Sequence, residues 1–315
     1  MKWRIPAKTF LLGEYAALAD KSAILLTTTP YFELSLTNQS GLDGIHPDSP
    51  AGLWWQQQNS ISMKDGNSLV SGKDITAAKN SQQGLTWSDP YQGKGGLGAS
   101  SAQFLGSYLA ACHLREETPT LVNMLEAYYQ VSWSKQGLRP SGYDVIAQSH
   151  QACVFINKQT KTIQSCPWPF SDLSFLLIHT GFKLATHKHL QDTTLTNQTD
   201  LLSAIVDEAQ LAFTQANSTL LINSINNYHN KLTELNLVAE HSLALIKVLS
   251  ALPEVLAIKG CGALGADVLL ILTTSSNKPT LTEKLHAKNL LLLATEDHLT
   301  NGKQDWTLEK MIRIC

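Results

Sequence analysis

Residues 92–102 read QGKGGLGASSA, four glycines and two serines set directly ahead of an apolar run. Glycine loses more conformational freedom on folding than any other residue, so a cluster is kept where the backbone must take left-handed angles or be approached closely. The run that follows, Phe104, Leu105, Tyr108, Leu109 and Cys112, keeps helical spacing. The chain is thereby committed to a loop that turns into the start of an amphipathic helix. Free N–H groups and the positive dipole end at such a start suit an anion, a phosphate above all. The plainer alternative is a glycine-rich turn with an ordinary serine cap, and the loop alone does not choose between them.

Two familiar phosphate loops are poor matches. Gly93, Gly95 and Gly98 satisfy G-x-G-x-x-G, but dinucleotide binding also needs a preceding buried strand and an acidic residue about 20 positions on, at a strand end. The preceding TWSDPYQ is a poor buried strand, and Glu116 and Glu117 fall between two helical patterns. No glycine of the loop is followed by Lys-Ser or Lys-Thr, which removes the P-loop.

The partner anion must be met locally. Net charge is −2 over 315 residues, so neither a nucleic-acid groove nor an anionic membrane surface is implied. Cys112, Cys153, Cys166, Cys261 and Cys315 show no paired or zinc-type spacing. The opening MKWRIPAKTFLLGEY lacks an uninterrupted apolar core, and no run reaches membrane-spanning length. A reduced, cytoplasmic protein with a small-molecule partner is expected.

Along the chain, KWRIPAKTFLL and SAILLTTTPYFELSL read as strands. Residues 37–92 are polar and turn-rich apart from Leu53-Trp54-Trp55, and read as irregular connections with one helix. Thr118-Pro119 announces a second helix with Leu121, Leu125, Tyr128 and Tyr129 on its apolar face. Residues 173–178 (LSFLLI) read as a buried strand, followed by helical patterns over 201–216, 218–235 and 240–252. VLAIKG, ADVLLILTT and NLLLLATED then read as strands, with a helix over 281–287. Strands and helices mix without a βαβ beat, which predicts an α+β fold. The length suits about two domains, with a boundary near Pro167–Phe170.

Three further stretches are bland singly. PAKTFLLGEYAAL places Lys8 inside an apolar strand and Glu14 just past Gly13; such a lysine usually snorkels at a sheet edge. PSGYD puts Asp144 at a helix start, where an N-cap is the commoner role. CGALGADVLLIL is a second glycine turn entering a strand. In this order, however, PAKTFLLGEYAAL, GGLGASSA and GALGADVLL resemble the three motifs of the GHMP kinase superfamily, the kinases of galactose, homoserine, mevalonate and phosphomevalonate.

That resemblance covers nearly the whole chain. It implies an α+β, two-domain GHMP kinase fold (1–168 and 169–315) with ATP and acceptor in the cleft between the domains. Its details lean towards phosphomevalonate kinase: GEY at Gly13–Tyr15, SGYDVIAQ at Ser141–Gln148, TGFKLAT at Thr180–Thr186 and Asp267 in the third motif. Mevalonate kinase or another sugar or alcohol kinase of the superfamily, and a non-catalytic metabolite-binding homologue, are the alternatives.

By the same resemblance, Asp144 would orient or deprotonate the acceptor hydroxyl and Lys8 would stabilise charge on the moving phosphoryl group. Lys94, Gly95, Gly96, Leu97, Gly98, Ala99, Ser100 and Ser101 would cradle the phosphates of ATP, with Ser100 reaching Mg2+. Glu14, Tyr15, Arg139, Ser141, Gly142, Lys183, Thr186, Gly262 and Ala263 would line the acceptor side. Cations for a phosphorylated acceptor are sought among Lys94, Arg139, Lys183, His187 and Lys188, although Thr186–His189 also reads as a solvated turn, and the triplet His187-Lys188-His189 makes a poor metal site because adjacent residues cannot all face one ion. A homodimer is compatible with this reading. Three departures stand out: Ala99 replaces the first serine of the family's GLGSSA, Leu264 replaces a glycine of the third motif, and VSWSKQG (131–137) carries no carboxylate where mevalonate kinases hold a magnesium-binding glutamate.

Overall fold

The computed structural model describes residues 1–64, 83–182 and 198–301. Two sheets, each backed by helices, make two lobes in chain order. The first lobe contains β1 (Lys2–Leu12), β2 (Ala23–Thr37), β3 (Gly41–Asp43), α1 (Pro50–Lys64), β4 (Gly84–Ser88), α2 (Ala99–Leu114), α3 (Leu121–Ser132), α4 (Tyr143–Gln148), β5 (Cys153–Asn157) and β6 (Thr162–Cys166). The second contains β7 (Leu173–His179), α5 (Gln198–Gln215), α6 (Ser218–Glu234), α7 (Glu240–Leu249), β8 (Ala257–Cys261), β9 (Val268–Thr274), α8 (Lys278–Ala287) and β10 (Leu291–Thr295). No helix among the described residues is long and apolar enough to cross a membrane.

β2 organises the first sheet. One side pairs antiparallel with β1 along its length, with register shifts between Ile5 and Ala7 and between Phe10 and Leu12. The other side is shared: Ala23–Leu26 pair with β5, and Glu33–Thr37 pair with β4. β1 is buried from Ile5 to Leu12 because α2 and α4 cover it and β8 of the second lobe meets it. This accounts for a nearly unbroken apolar run in which Lys8 is the exception. The second sheet is antiparallel in the order β10-β7-β9-β8.

The expected elements of the second lobe are present. In the first lobe the one helix expected within residues 37–92 is present as α1, and the structure corrects the irregular remainder, which includes β3 and β4 among the described residues. Trp54 anchors α1 against Phe104 and Tyr108 of α2, with ring centroids 6.3 and 5.8 Å apart. TWS belongs to a strand after all, half-buried and laid between β2 and β3. The α3 cap is Thr120 in place of Thr118: its hydroxyl accepts from the Asn123 amide at 3.2 Å.

Candidate active site

The glycine loop is built to present amides. Asp89 opens it by accepting from the Tyr91 and Gly93 amides, both at 2.7 Å. Gly98 ends it as the N-cap of α2 in the left-handed region, φ 79°, with no side-chain cap. The amides of Ala99, Ser100 and Ser101 thus begin a helix with no intrahelical acceptor. The Ser101 hydroxyl turns inward and donates to the Gly98 carbonyl at 2.9 Å, whereas Ser100 is exposed.

Beneath the loop lies Lys8. Its backbone amide donates to the Leu97 carbonyl at 3.0 Å. A Cβ on Gly98 would stand 2.7 Å from Lys8 Cγ and 2.9 Å from its Cε, so only glycine lets the loop settle on the lysine stem. The ammonium does not snorkel out. With 9% of its side chain exposed, it meets Asp144 Oδ1 at 2.9 Å.

Asp144 stands in the first turn of α4, where the helix dipole favours negative charge. The N-cap of that helix is Gly142, at φ 76°. Asp144 is one-third exposed, which leaves its carboxylate accessible to solvent. Nearby Tyr128 of α3 is kept protonated chiefly by burial and secondarily by the Asp144 charge. Gln148, at the end of α4, donates to the carbonyls of Pro6 and Gly98 at 2.9 and 3.1 Å, tying β1, α4 and the glycine loop together.

The second lobe meets the loop from the other side. A Cβ on Gly95 would fall 2.4 Å from Asp267 Oδ2, and one on Gly96 2.7 Å from Val268 Cγ2. His179 is nearby, its pKa lowered by burial, with Asp267 opposing that shift and Lys94 adding to it. Gly262 and Ala263 are half-buried in the turn before Asp267. Leu264 adopts the left-handed conformation its missing glycine would have supplied, at φ 54°. Two hydrogen bonds hold it there: its amide donates to Tyr15 Oη at 2.9 Å, and its carbonyl accepts from the Ala239 amide at 2.8 Å.

Lys8 and Asp144 therefore meet beneath the Gly98 end of the loop, while Asp267 and Val268 of the second lobe lie against Gly95 and Gly96; no contact among the described residues brings Gly262 or Ala263 to them. Glu14 and Tyr15 do not line an open surface. Glu14 has 3% of its side chain exposed and pairs with wholly buried Lys259 of β8 at 3.0 Å. Burial pushes the Glu14 carboxyl above its ordinary range, with Lys259 opposing. Arg139 points to Asp20 at 3.0 Å and stacks over Tyr129 at 4.6 Å, while the Ser141 carbonyl accepts from Tyr129 and Lys158. Lys183, Thr186, His187, Lys188 and His189 lie outside the described residues. Lys259 and Gln148 were missed. Lys259 carries the signal that exposed Lys8, a lone charge in an apolar strand; Gln148 carries none.

The described residues include no cluster of three metal-binding side chains. What they offer is one exposed hydroxyl, Ser100, on an uncapped helix start, and the Asp144 carboxylate. Such a set fits Mg2+ that arrives on nucleotide phosphates and keeps waters, and does not fit a resident ion in a protein cage.

No protein-family model and no curated protein matches the sequence. Solved structures do match by shape. Mevalonate kinase of Methanococcus jannaschii superposes over 96% of this chain and 98% of its own, with a TM-score of 0.69 and 14% identity. The chain has the GHMP kinase fold. Phosphomevalonate kinase of Streptococcus pneumoniae, in complex with phosphomevalonate and AMPPNP, shares that fold with a TM-score of 0.71 and 16% identity, covering 94% and 99% of the two chains. Galactokinase of Lactococcus lactis, complexed with galactose, shares it with a TM-score of 0.69 and 11% identity over 95% and 94%.

Proposed function

We propose that this chain is an ATP-dependent kinase of a small-molecule alcohol. The observation that carries the reading is the Lys8–Asp144 pair, 2.9 Å long and packed against the glycine that opens α2. Phosphoryl transfer asks a protein mainly for positioning and for charge placed where charge develops. Asp144 orients the acceptor hydroxyl and takes its proton. Lys8, held by Gly98 on one side and Asp144 on the other, neutralises the phosphoryl oxygens in transit. The first-turn amides and Ser100 receive the β- and γ-phosphates, with Mg2+ supplying further neutralisation when bound.

The acceptor we favour is phosphomevalonate, with mevalonate second. The SGYDVIAQ and TGFKLAT segments support that choice; the fold, shared alike with mevalonate kinase and galactokinase, does not discriminate. Arg139 would reach an acceptor phosphate only by leaving Asp20, which shifts that role to Lys94 and Lys183. The reaction belongs to isoprenoid precursor synthesis in this reading, and a cytoplasmic location goes with it. A coupled ADP-release assay with Mg2+ tests it, with phosphomevalonate and mevalonate offered in parallel. Acceptor-dependent turnover with phosphomevalonate is expected. Asp144→Asn should cut it by about 100- to 10,000-fold, the usual range for a lost general base, while nucleotide binding persists. A chain that binds ATP and turns over with no alcohol is no kinase.

A further inference from the structure

Glu14 and Tyr15 sit beside a catalytic strand but touch neither lobe's open surface. The hydrogen-bond and ion-pair partners of both side chains belong to the second lobe. Glu14 pairs with Lys259 at 3.0 Å with both side chains almost wholly buried, and the Lys259 ammonium also lies over the Tyr228 ring at 5.7 Å. Tyr15, buried as well, receives the Leu264 amide at 2.9 Å. Leu264 is a leucine at φ 54°, a conformation that L-residues avoid, so the two hydrogen bonds to its peptide groups are what hold it. Three residues on, Asp267 and Val268 press against Gly95 and Gly96.

These contacts form a closed circuit. β1 grips the glycine loop directly through Lys8 and Leu97. The turn that follows this strand, through Glu14 and Tyr15, fixes the second-lobe turn that grips the loop from the opposite side. We propose that Glu14, Tyr15 and Lys259 are positioning residues that hold the glycine loop in its phosphate-receiving shape across the lobe junction. They do so without touching nucleotide or acceptor.

The loop's part in receiving phosphates rests on the kinase reading, but the circuit itself does not, and the test separates them. Two full-length variants are compared with the wild type: Tyr15→Phe, which removes one hydroxyl, and Glu14→Gln/Lys259→Met, which removes the pair without stranding a buried charge. Amide hydrogen exchange is measured in the free proteins. Exchange over residues 93–98 should rise about three- to tenfold in Tyr15→Phe, the size of one lost hydrogen bond, with β5 and β6 unchanged. Binding of a fluorescent Mg-ADP analogue should weaken by the same factor, and KM for ATP should rise with kcat retained. A lower melting temperature with unaltered exchange at 93–98 and unaltered nucleotide affinity would make these residues merely structural and overturn the proposal. Faster loop exchange in a protein whose wild type binds no nucleotide would uphold the circuit and sink the kinase reading.

Discussion

Gly98 and Gly93 offer a controlled comparison within one loop. Their φ angles are 79° and 76°, so an alanine at either position meets nearly the same backbone strain, about 1–2 kcal/mol for an L-residue in the left-handed region. Their surroundings differ. A Cβ at Gly93 meets nothing within 4 Å, whereas at Gly98 it would stand 2.7 Å from Lys8 Cγ and 3.0 Å from Gln148 Nε2. Lys8 cannot swing aside cheaply, because its stem is buried and its ammonium is held by Asp144. Forcing a methyl group into a packed site costs about 1–3 kcal/mol. Gly93→Ala should therefore lose about 1–2 kcal/mol of stability and Gly98→Ala about 2–5 kcal/mol, and only Gly98→Ala should also disturb the Lys8–Asp144 pair. Urea unfolding of both variants reads the stability difference, and phosphoryl transfer reads the pair. Equal losses of stability in the two variants would mean that Gly98 is present for its backbone angle alone and that the loop does not rest on Lys8.

Other consequences can be checked more briefly. Leu264→Val should cost about 1 kcal/mol or more, since a β-branched residue tolerates the left-handed region worse than leucine, and Leu264→Gly should be the more stable of the two; the reverse order in urea would show that Leu264 is kept for its side chain. The carboxyls of Glu33 and Asp297 are held below their ordinary range, each first by a hydrogen-bonded lysine, Lys2 and Lys278 respectively. A carboxyl depressed in the folded state contributes stability above its unfolded value, about 4, and loses it as pH falls through the folded value. Lys278→Met should accordingly flatten the acid end of a plot of urea midpoint against pH. The Cys153 and Cys261 thiols are buried and raised by that burial, Cys261 to about 11. Brief alkylation of the native protein at pH 8 should label half-buried Cys166 ahead of both; labelling of Cys153 at an equal rate would show that β5 opens readily.

Much of this was legible because some residues sit where local rules disfavour them. A lysine in an apolar strand and an aspartate after a glycine turn stand out from their neighbours, and Lys8 and Asp144 do meet. Sequence adjacency cannot say which way a side chain faces, and there the reading went astray. Glu14 and Tyr15 follow the strand that carries Lys8, yet the turn after Leu12 aims both into the lobe junction. Arg139 looked free until the fold brought Asp20 to it. α1 was faint because its buried Ala51, Trp54 and Trp55 are set in an otherwise polar stretch. The Thr118 cap was displaced by two positions because Thr120 has the same chemistry, and only tertiary packing decides which threonine starts the helix.

The end of the described chain adds a mechanical consequence. After β10, Glu296 is still tied to the second lobe, through the Ser174 hydroxyl and the Phe175 amide. A few residues later the Thr300 amide donates to the Thr27 carbonyl at 3.0 Å, and its hydroxyl lies 2.6 Å from that of Thr27. The lobes are thus linked covalently between β6 and β7 and fastened again by hydrogen bonds where Thr300 docks on β2. Twisting or sliding of one lobe over the other would have to pull Thr300 off β2 and, with it, break the Glu14–Lys259 and Lys21–Asp200 pairs that cross the same junction.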